Sequence, residues 1–443
     1  MLGGGKFQTQ NKLLVGSYIN FVSAKDASIA LSDRGYAATS LELDWGAEGI
    51  TELTTESFQK DAKKLLGYDY THANMKPIRE LFKRASVVYV YRLNATGAKK
   101  AVSDVATAKY AGVKGNSIST LIEANVDVEG KYDVYTYVDG VEVDKQIVAK
   151  YDELVANDYV DFNIASGALE VGTQPVYLTG GANGTVTAGE EHAKFLALAE
   201  SYSFNTLACN SVDKTIIDLY IAYTKRMRYE VGVKFQTVVY GKAGDVEIDP
   251  NEKGVIVVDT AVKEEGVPVH YGIFWTAGAS AGCAINESNT NRKYDGEYNF
   301  DVDYTKTELE NAIKSGKFVF HKVGDDVRVL VDINSLVEYD MTESADFSDN
   351  KVVRIIDQIG NDVALEFNTN FLGKIPNDAA GRISLWNAID NYGKKLLNLR
   401  AIQNWDNAQL KISEGETKTS VVVDMVVNVV GTMEKLYMTV QVV

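Results

Sequence analysis

Cysteine, histidine and proline are scarce in this 443-residue chain, with 2, 4 and 5 copies. Cys209 and Cys283 lie far apart with no Cys-x-x-Cys spacing, so neither a disulfide framework nor a zinc ribbon is encoded. No His-Glu-x-x-His spacing joins His72, His192, His270 and His321, and each is expected to be structural or exposed. Long apolar runs are missing too. The most apolar, Val421 to Val430, is broken by Asp424 and Asn428 and is too short for a bilayer. The stretch Met1 to Gln8 has no apolar signal core, and glycine is not second, so neither secretion nor myristoylation is expected. Positive charge is short as well: 45 Lys+Arg face 61 Asp+Glu, a formal net charge of −16. That balance repels phosphate backbones and anionic headgroups, which argues against nucleic acid and membrane as direct partners.

What is present is ordinary globular material, 45% hydrophobic and 24% charged, in a length that suits about three domains. Twenty-five tyrosines favour strand-rich, interface-forming surfaces. The first 25 residues hold Lys6, Lys12 and Lys25 and no acid, which marks an extended basic arm. Tyr18 to Val22 and Val87 to Tyr91 read as strands, and Thr55 to Leu66 as a helix. From about Asn94 to Gly184 the character changes to short alternating strands: Ile118 to Val128, then Tyr132 to Val138, a turn at Asp139-Gly140, and Val141 to Val143. This predicts an inserted all-β domain. Helices and strands then alternate, as a helix-covered parallel sheet requires. Thr187-x-x-Glu190 caps a helix to about Tyr202, a strand runs Asn205 to Cys209, and a helix runs Val212 to Tyr229. Strands follow at Val233 to Tyr240 and Val255 to Val258. Thr307-x-x-Glu310 caps a further helix ending near Gly316. A last α+β region is expected from Lys317, with a strand pair over Phe318 to Ile333, helices at about Ser348 to Phe371 and Asp378 to Leu399, and strands over Ser420 to Val430 and Leu436 to Val443. In that final run Leu436, Met438, Val440 and Val442 point one way. A strand so placed needs a partner to pair with it.

The chemistry motifs are weak. Gly278-Ala279-Ser280-Ala281-Gly282 fits the Gly-x-Ser-x-Gly nucleophile elbow, yet the histidine base should follow the serine and only His321 does. The competing reading is a small-residue helix face from Ala277 to Ala284. Asp301-x-Asp303-x-Thr305 lacks the glycine and terminal Glu of a calcium loop. Gly3-Gly4-Gly5-Lys6 and Gly316-Lys317 lack phosphate-loop spacing. Sequons at Asn94, Asn183 and Asn286 matter only in a secreted chain. No catalytic, cofactor or metal site is expected, and the pattern points to assembly.

At both termini and in the interior the residues resemble a known family. Lys6 to Lys12, Gly16 to Phe21, Asp33-Arg34-Gly35, Glu287 to Arg292, Tyr294-Asp295-Gly296 and Met433 to Val440 look like contractile-tail sheath proteins of Gram-positive prophages and R-type bacteriocins. The likeness covers nearly the whole chain. It implies a subtilisin-like parallel α/β domain that is not a protease (21–93 and 185–316), preceded by an N-terminal arm (1–20). It also implies an inserted β-sandwich or barrel (94–184), an α+β C-terminal domain (317–418) and terminal strands with an arm (419–443). The implied function is a structural subunit, not an enzyme, which stacks as hexameric rings around an inner tail tube and contracts to drive the tube through a bacterial envelope. The implied partners are further copies, the tube, the baseplate and the tail terminator, in a tail particle assembled in the host cytoplasm. Lys6, Phe7, Thr9, Lys12, Leu436, Met438, Val440 and Val442 are then inter-subunit arm residues. Two rival readings are a serine hydrolase built on Ser280 and a surface-array or adhesin-like protein.

Overall fold

The computed structural model describes residues 29–163, 169–187 and 189–442, so the strand expected over Tyr18 to Val22 lies outside the described residues. The chain divides into two compact units, Ser32–Gly360 with 430–442, and Asn361–Val429 with 29–31. In the larger unit β1 (Tyr36–Leu41), β2 (Ile50–Thr54), α1 (Thr55–Leu66), α2 (Lys76–Phe82) and β3 (Val87–Arg92) come first. The chain then makes six shorter strands, β4 (Ala106–Ala108), β5 (Ile118–Ala124), β6 (Tyr132–Val138), β7 (Val141–Val148), β8 (Val160–Phe162) and β9 (Val176–Tyr177). Next come α3 (Glu190–Ala199), β10 (Thr206–Ala208), α4 (Lys214–Arg226) and β11 (Gln236–Tyr240). They lead through a small hairpin, β12 (Lys242–Ala243) and β13 (Val246–Glu247), into β14 (Val255–Val258), α5 (Gly272–Gly282) and α6 (Lys306–Lys314).

A seven-stranded sheet gathers strands from both sides of the β4–β9 segment. Its order is β15-β14-β11-β10-β1-β3-β2, where β15 is Lys317–Phe318. Every pairing is parallel except the edge pairing of β2 with β3. Both faces are buried, which explains why β3, β11 and β14 read as continuous apolar runs. Side chains alternate across the sheet: Val88, Val90, Ile256 and Val258 enter one core with α1, α2 and α5. Tyr89, Tyr91, Val255 and Val257 enter the other with α3 and α4.

The β4–β9 segment has its own core, around Ile118, Val134, Val138 and Leu178. It is a four-stranded antiparallel sheet of order β7-β6-β5-β9 beside the antiparallel pair β4 and β8. Asp139 and Gly140 both take left-handed backbone, φ 54° and 76°, as a two-residue hairpin turn between β6 and β7 demands.

Several local expectations need correction. The expected box at Thr187 does not cap α3: the helix starts at Glu190 behind Gly189, whose φ of 85° and lack of a side chain leave the first amides without a side-chain cap. The box opening α6 lies two residues earlier than expected. The Thr305 hydroxyl accepts from the Glu308 amide and the Glu308 carboxylate accepts from the Thr305 amide. Lys317–Phe318 was expected to open a separate region. Instead it pairs in parallel with Val257–Val258 as the edge of the main sheet, since Phe318 is fully buried in that core. The hairpin of β16 (Phe320–Val323) and β17 (Asp326–Val329) follows it.

Helix α7 (Asn350–Glu366) begins in the larger unit. Two buried ion pairs fasten it there. The Arg354 guanidinium donates to Asp332 at 2.7 Å, with both side chains at most 1% exposed. Arg228 forks onto Asp357 at 2.6 and 2.8 Å. Asp332 also accepts from the Asn289 amide and from Asn350 Nδ2, so burial is compensated and its carboxyl is held below the usual range.

In the smaller unit α8 (Ala379–Asn398), capped by Asp378, packs beside a hairpin of β18 (Lys411–Glu414) and β19 (Val421–Asp424). The strand expected over Ser420 to Val430 shrinks to β19 plus one bridge, Val429 to Ile402. The run 436–442 forms no strand at all. Its alternation is there, but no ladder partner for it exists among the described residues.

Removing one partner of a desolvated pair strands the other charge. Asp332→Ala should therefore cost about 3–5 kcal/mol in chemical denaturation. A loss below about 1 kcal/mol would mean the pair is not the fastening described.

Candidate functional site: an assembly surface

Ser280 sits inside α5, where every residue from Gly272 to Ala281 is buried. Its hydroxyl has no hydrogen-bond partner among the described residues, and its carbonyl accepts from Arg34 Nη2 at 3.0 Å. A nucleophile elbow needs a strand-to-helix turn with an exposed hydroxyl. Here the motif is helical throughout and forms the C-terminal end of α5. Its glycines serve packing: a Cβ on Gly278 would lie 2.3 Å from the Leu81 carbonyl oxygen, and one on Gly282 would lie 2.0 Å from that of Arg84. The small-residue face thus lets α5 lie against α2.

The four histidines are also accounted for, His72 by its Nδ1, which accepts from the Asn74 amide at 3.2 Å. His192 Nδ1 lies 3.0 Å from the Tyr220 hydroxyl, which is 3.2 Å from Ser40 Oγ. Asn210 Nδ2 donates to the Ser40 carbonyl, and His270 Nε2 is 2.8 Å from Asn210 Oδ1. Burial pushes both histidines down to about 4, so each is neutral at pH 7. His321 lies on β16 opposite Arg328. Burial raises both cysteine thiols, far from the thiolate range. Among the described residues no cluster of three His, Cys, Asp or Glu side chains is placed to hold a metal.

Glu80, fully buried on α2, is a perturbed carboxyl with a defined partner set. It accepts from the Tyr294 hydroxyl at 2.7 Å and from the Glu297 amide at 2.5 Å. Desolvation pushes it up to about 7 against those two bonds.

The sequence-predicted arm residues divide. Lys6, Phe7, Thr9 and Lys12 lie outside the described residues. Leu436, Met438, Val440 and Val442 are described, and they are 85%, 75%, 68% and 94% exposed. Their segment is tied back at Glu434, whose carboxylate accepts from the Thr290 hydroxyl at 2.9 Å. Separately, in the smaller unit, β18 and β19 form an isolated two-stranded sheet among the described residues, with two unpaired edges. A groove of about 100 Å³ adjoins it, lined by Phe367, Phe371, Leu372, Ile375, Leu385 and Val421. Sequence reasoning missed β18; the signal was the alternation of Lys411 to Glu414 before Gly415. It also missed the buried pairs of α7, although Arg354 and Asp357 flank the core position Ile355 on one helix.

The comparisons agree with a structural role. Four profiles of phage tail sheath proteins match in succession: the domain III N-terminal region of tail sheath protein Gp18 over 34–93, the β-sandwich domain over 94–190, the central domain over 185–335 and the C-terminal domain over 342–443. The phage-like element PBSX protein XkdK of Bacillus subtilis is 31% identical, with both chains covered completely. The crystal structure of the sheath tail protein from Desulfitobacterium hafniense superposes with a TM-score of 0.81 at 33% identity, covering 96% of this chain and 99% of that one. The contracted helical sheath of the anti-feeding prophage shares the fold alone, with a TM-score of 0.60 at 13% identity and coverage of 97% and 99%. The chain belongs to the phage tail sheath protein family. It is a structural tail sheath protein, and the serine-hydrolase reading is set aside.

Two outcomes check the site. Ser280→Ala should leave melting unchanged or slightly raised, since it removes a buried hydroxyl with no partner. Ser280→Leu should cost about 1–3 kcal/mol by overpacking, and hydrolytic turnover lost in Ser280→Ala would contradict both. Glu80 binds its proton more tightly folded, at about 7, than at its ordinary 4.5. Its contribution is complete below pH 4.5 and is lost as pH rises through 7, to a limit of roughly 3 kcal/mol. Glu80→Gln should lack that slope, so its melting temperature should gain on wild type between pH 5 and pH 8. Parallel curves would refute the assignment.

Proposed function

We propose that this sheath subunit polymerises as stacked hexameric rings around an inner tail tube, with a baseplate and a tail terminator at the two ends. Contraction of the polymer drives the tube through a bacterial envelope. Assembly takes place in the host cytoplasm. The domain order is an N-terminal arm (1–20), a subtilisin-like α/β domain in two segments (21–93 and 185–316) around an inserted β domain (94–184), an α+β C-terminal domain (317–418) and terminal strands with an arm (419–443). Lys6, Phe7, Thr9 and Lys12 at one end and Leu436, Met438, Val440 and Val442 at the other add strands to neighbouring subunits.

The observation that carries this reading is the apolar row at 436–442, exposed at every alternate residue with no ladder of its own. Each of its four side chains gains about 1.5–3 kcal/mol if fully buried, and each ladder hydrogen bond about 0.5–1.5. Ordering the segment costs roughly 1–2 kcal/mol per residue, and docking costs several more. A single arm therefore binds weakly. Many arms in a head-to-tail lattice that does not close on itself hold a polymer together.

Deleting Leu436 to Val443 should give a folded, monodisperse monomer with wild-type circular dichroism and no tubes under negative-stain microscopy. Sheaths of normal length from the truncated chain would overturn strand exchange as the linkage.

A further inference from the structure

Outside the carboxyl ends of β1 and β10 the larger unit encloses a cleft of about 600 Å³, a size typical of small-ligand sites. β1 is flanked by β3 on one side and β10 on the other, the point where strand order reverses, and open α/β sheets bind ligands in the crevice at such a switch. Leu41 ends β1 and Glu42 to Asp44 follow it along one wall, Asn210 follows β10, and Tyr271 precedes α5.

The cleft repeats one chemical arrangement, an aromatic ring beside a carboxylate. Lys76 Nζ lies 4.2 Å from the Tyr298 ring centre and 2.8 Å from the Glu264 carboxylate, so this set is filled. Tyr68 is filled too, with Lys114 Nζ 4.3 Å over its ring and held by Asp139 at 2.7 Å. The third pair to line the cleft, Tyr271 and Glu42, holds no cation, and the Tyr271 ring packs against the rings of His270, Phe274 and Tyr298 at 5.1, 5.1 and 5.9 Å. Among the described residues neither the Glu42 carboxylate nor the Tyr271 hydroxyl has a hydrogen-bond or ion-pair partner. Asp44 adds a second carboxylate at the same wall, engaged by the Tyr68 hydroxyl at 2.6 Å and Asn183 Nδ2 at 2.7 Å.

We propose that this cleft binds an organic cation, a primary ammonium or guanidinium on an alkyl stem, seated between the Glu42 carboxylate and the Tyr271 ring. The stem lies along the apolar wall of Leu41, Val267 and Pro268. An aromatic face attracts such a cation, while an anion would meet Glu42 and Asp44. The group has two sources, a free polyamine or a Lys or Arg side chain of a neighbouring polypeptide.

The test titrates spermidine into the full-length chain by calorimetry and intrinsic fluorescence. Saturable one-site binding below about 1 mM is expected. Glu42 is exposed and unpaired, so Glu42→Lys should melt like wild type yet bind at least about tenfold more weakly. Glu129→Lys makes the same charge change on an exposed site of the inserted segment and should bind normally. Absence of saturable binding, or equal weakening by both variants, overturns the proposal. Assembled tubes separate the sources. If a neighbour's side chain is the natural occupant, spermidine binds monomer but not tube, and Glu42→Lys slows assembly. If a free amine is, monomer and tube bind alike and assembly is unchanged.

Discussion

Helix α5 can lie inside the α/β body only because its backbone touches the backbone of α2. At Gly278 and Gly282 there is no room for a methyl group against the carbonyls of Leu81 and Arg84. That contact lets one core close over Ile273, Phe274 and Trp275 on the helix and Val88, Val90, Ile256 and Val258 on the sheet. With α3 and α4 closing the opposite face, every central strand is dry on both sides and its apolar runs are continuous. The residues that imitate a catalytic elbow are the ones this packing requires.

The buried charges that fasten α7 are paired. Asp332 and Arg354, like Arg228 and Asp357, are desolvated pairs whose remaining lone pairs and protons are partly met by Asn289, Asn350 and the Phe235 carbonyl. Such pairs add little net stability against an apolar substitute, yet they penalise any packing in which the partners part. Glu80 obeys the same logic with neutral partners, and its cost is the upward shift of its own titration.

The surface carries the opposite arrangement. A row of apolar side chains at 436–442 and two bare edges on the β18–β19 hairpin are left to water. A monomer tolerates them because the row is short and carries no ladder, and because a net charge of −16 keeps copies apart. Under the strand exchange proposed above, lattice formation removes both liabilities at once.

How far residues alone led depends on the range of the forces involved. The alternating run of β6, the continuous apolar runs of β3, β11 and β14, the Asp-Gly turn, the β insertion and the family likeness were all legible, because each is local or ordered along the chain. Cap positions at Thr305 and Gly189 slipped by a few residues, since neighbouring Ser, Thr and Gly compete for the same role. The place of Lys317–Phe318 in the main sheet was not legible: two residues carry too little pattern, and Val257 and Val258 lie about sixty positions away. Neither were the pairing of Arg354 with Asp332, the burial of Glu80 under Tyr294, or the open Glu42 and Tyr271 set. Sequence by itself determined most of the strands and helices of the body, because those follow from side-chain period and composition. Only the tertiary structure decided which charges are desolvated and which rings and carboxylates share a cleft, because those contacts join residues that no local pattern links.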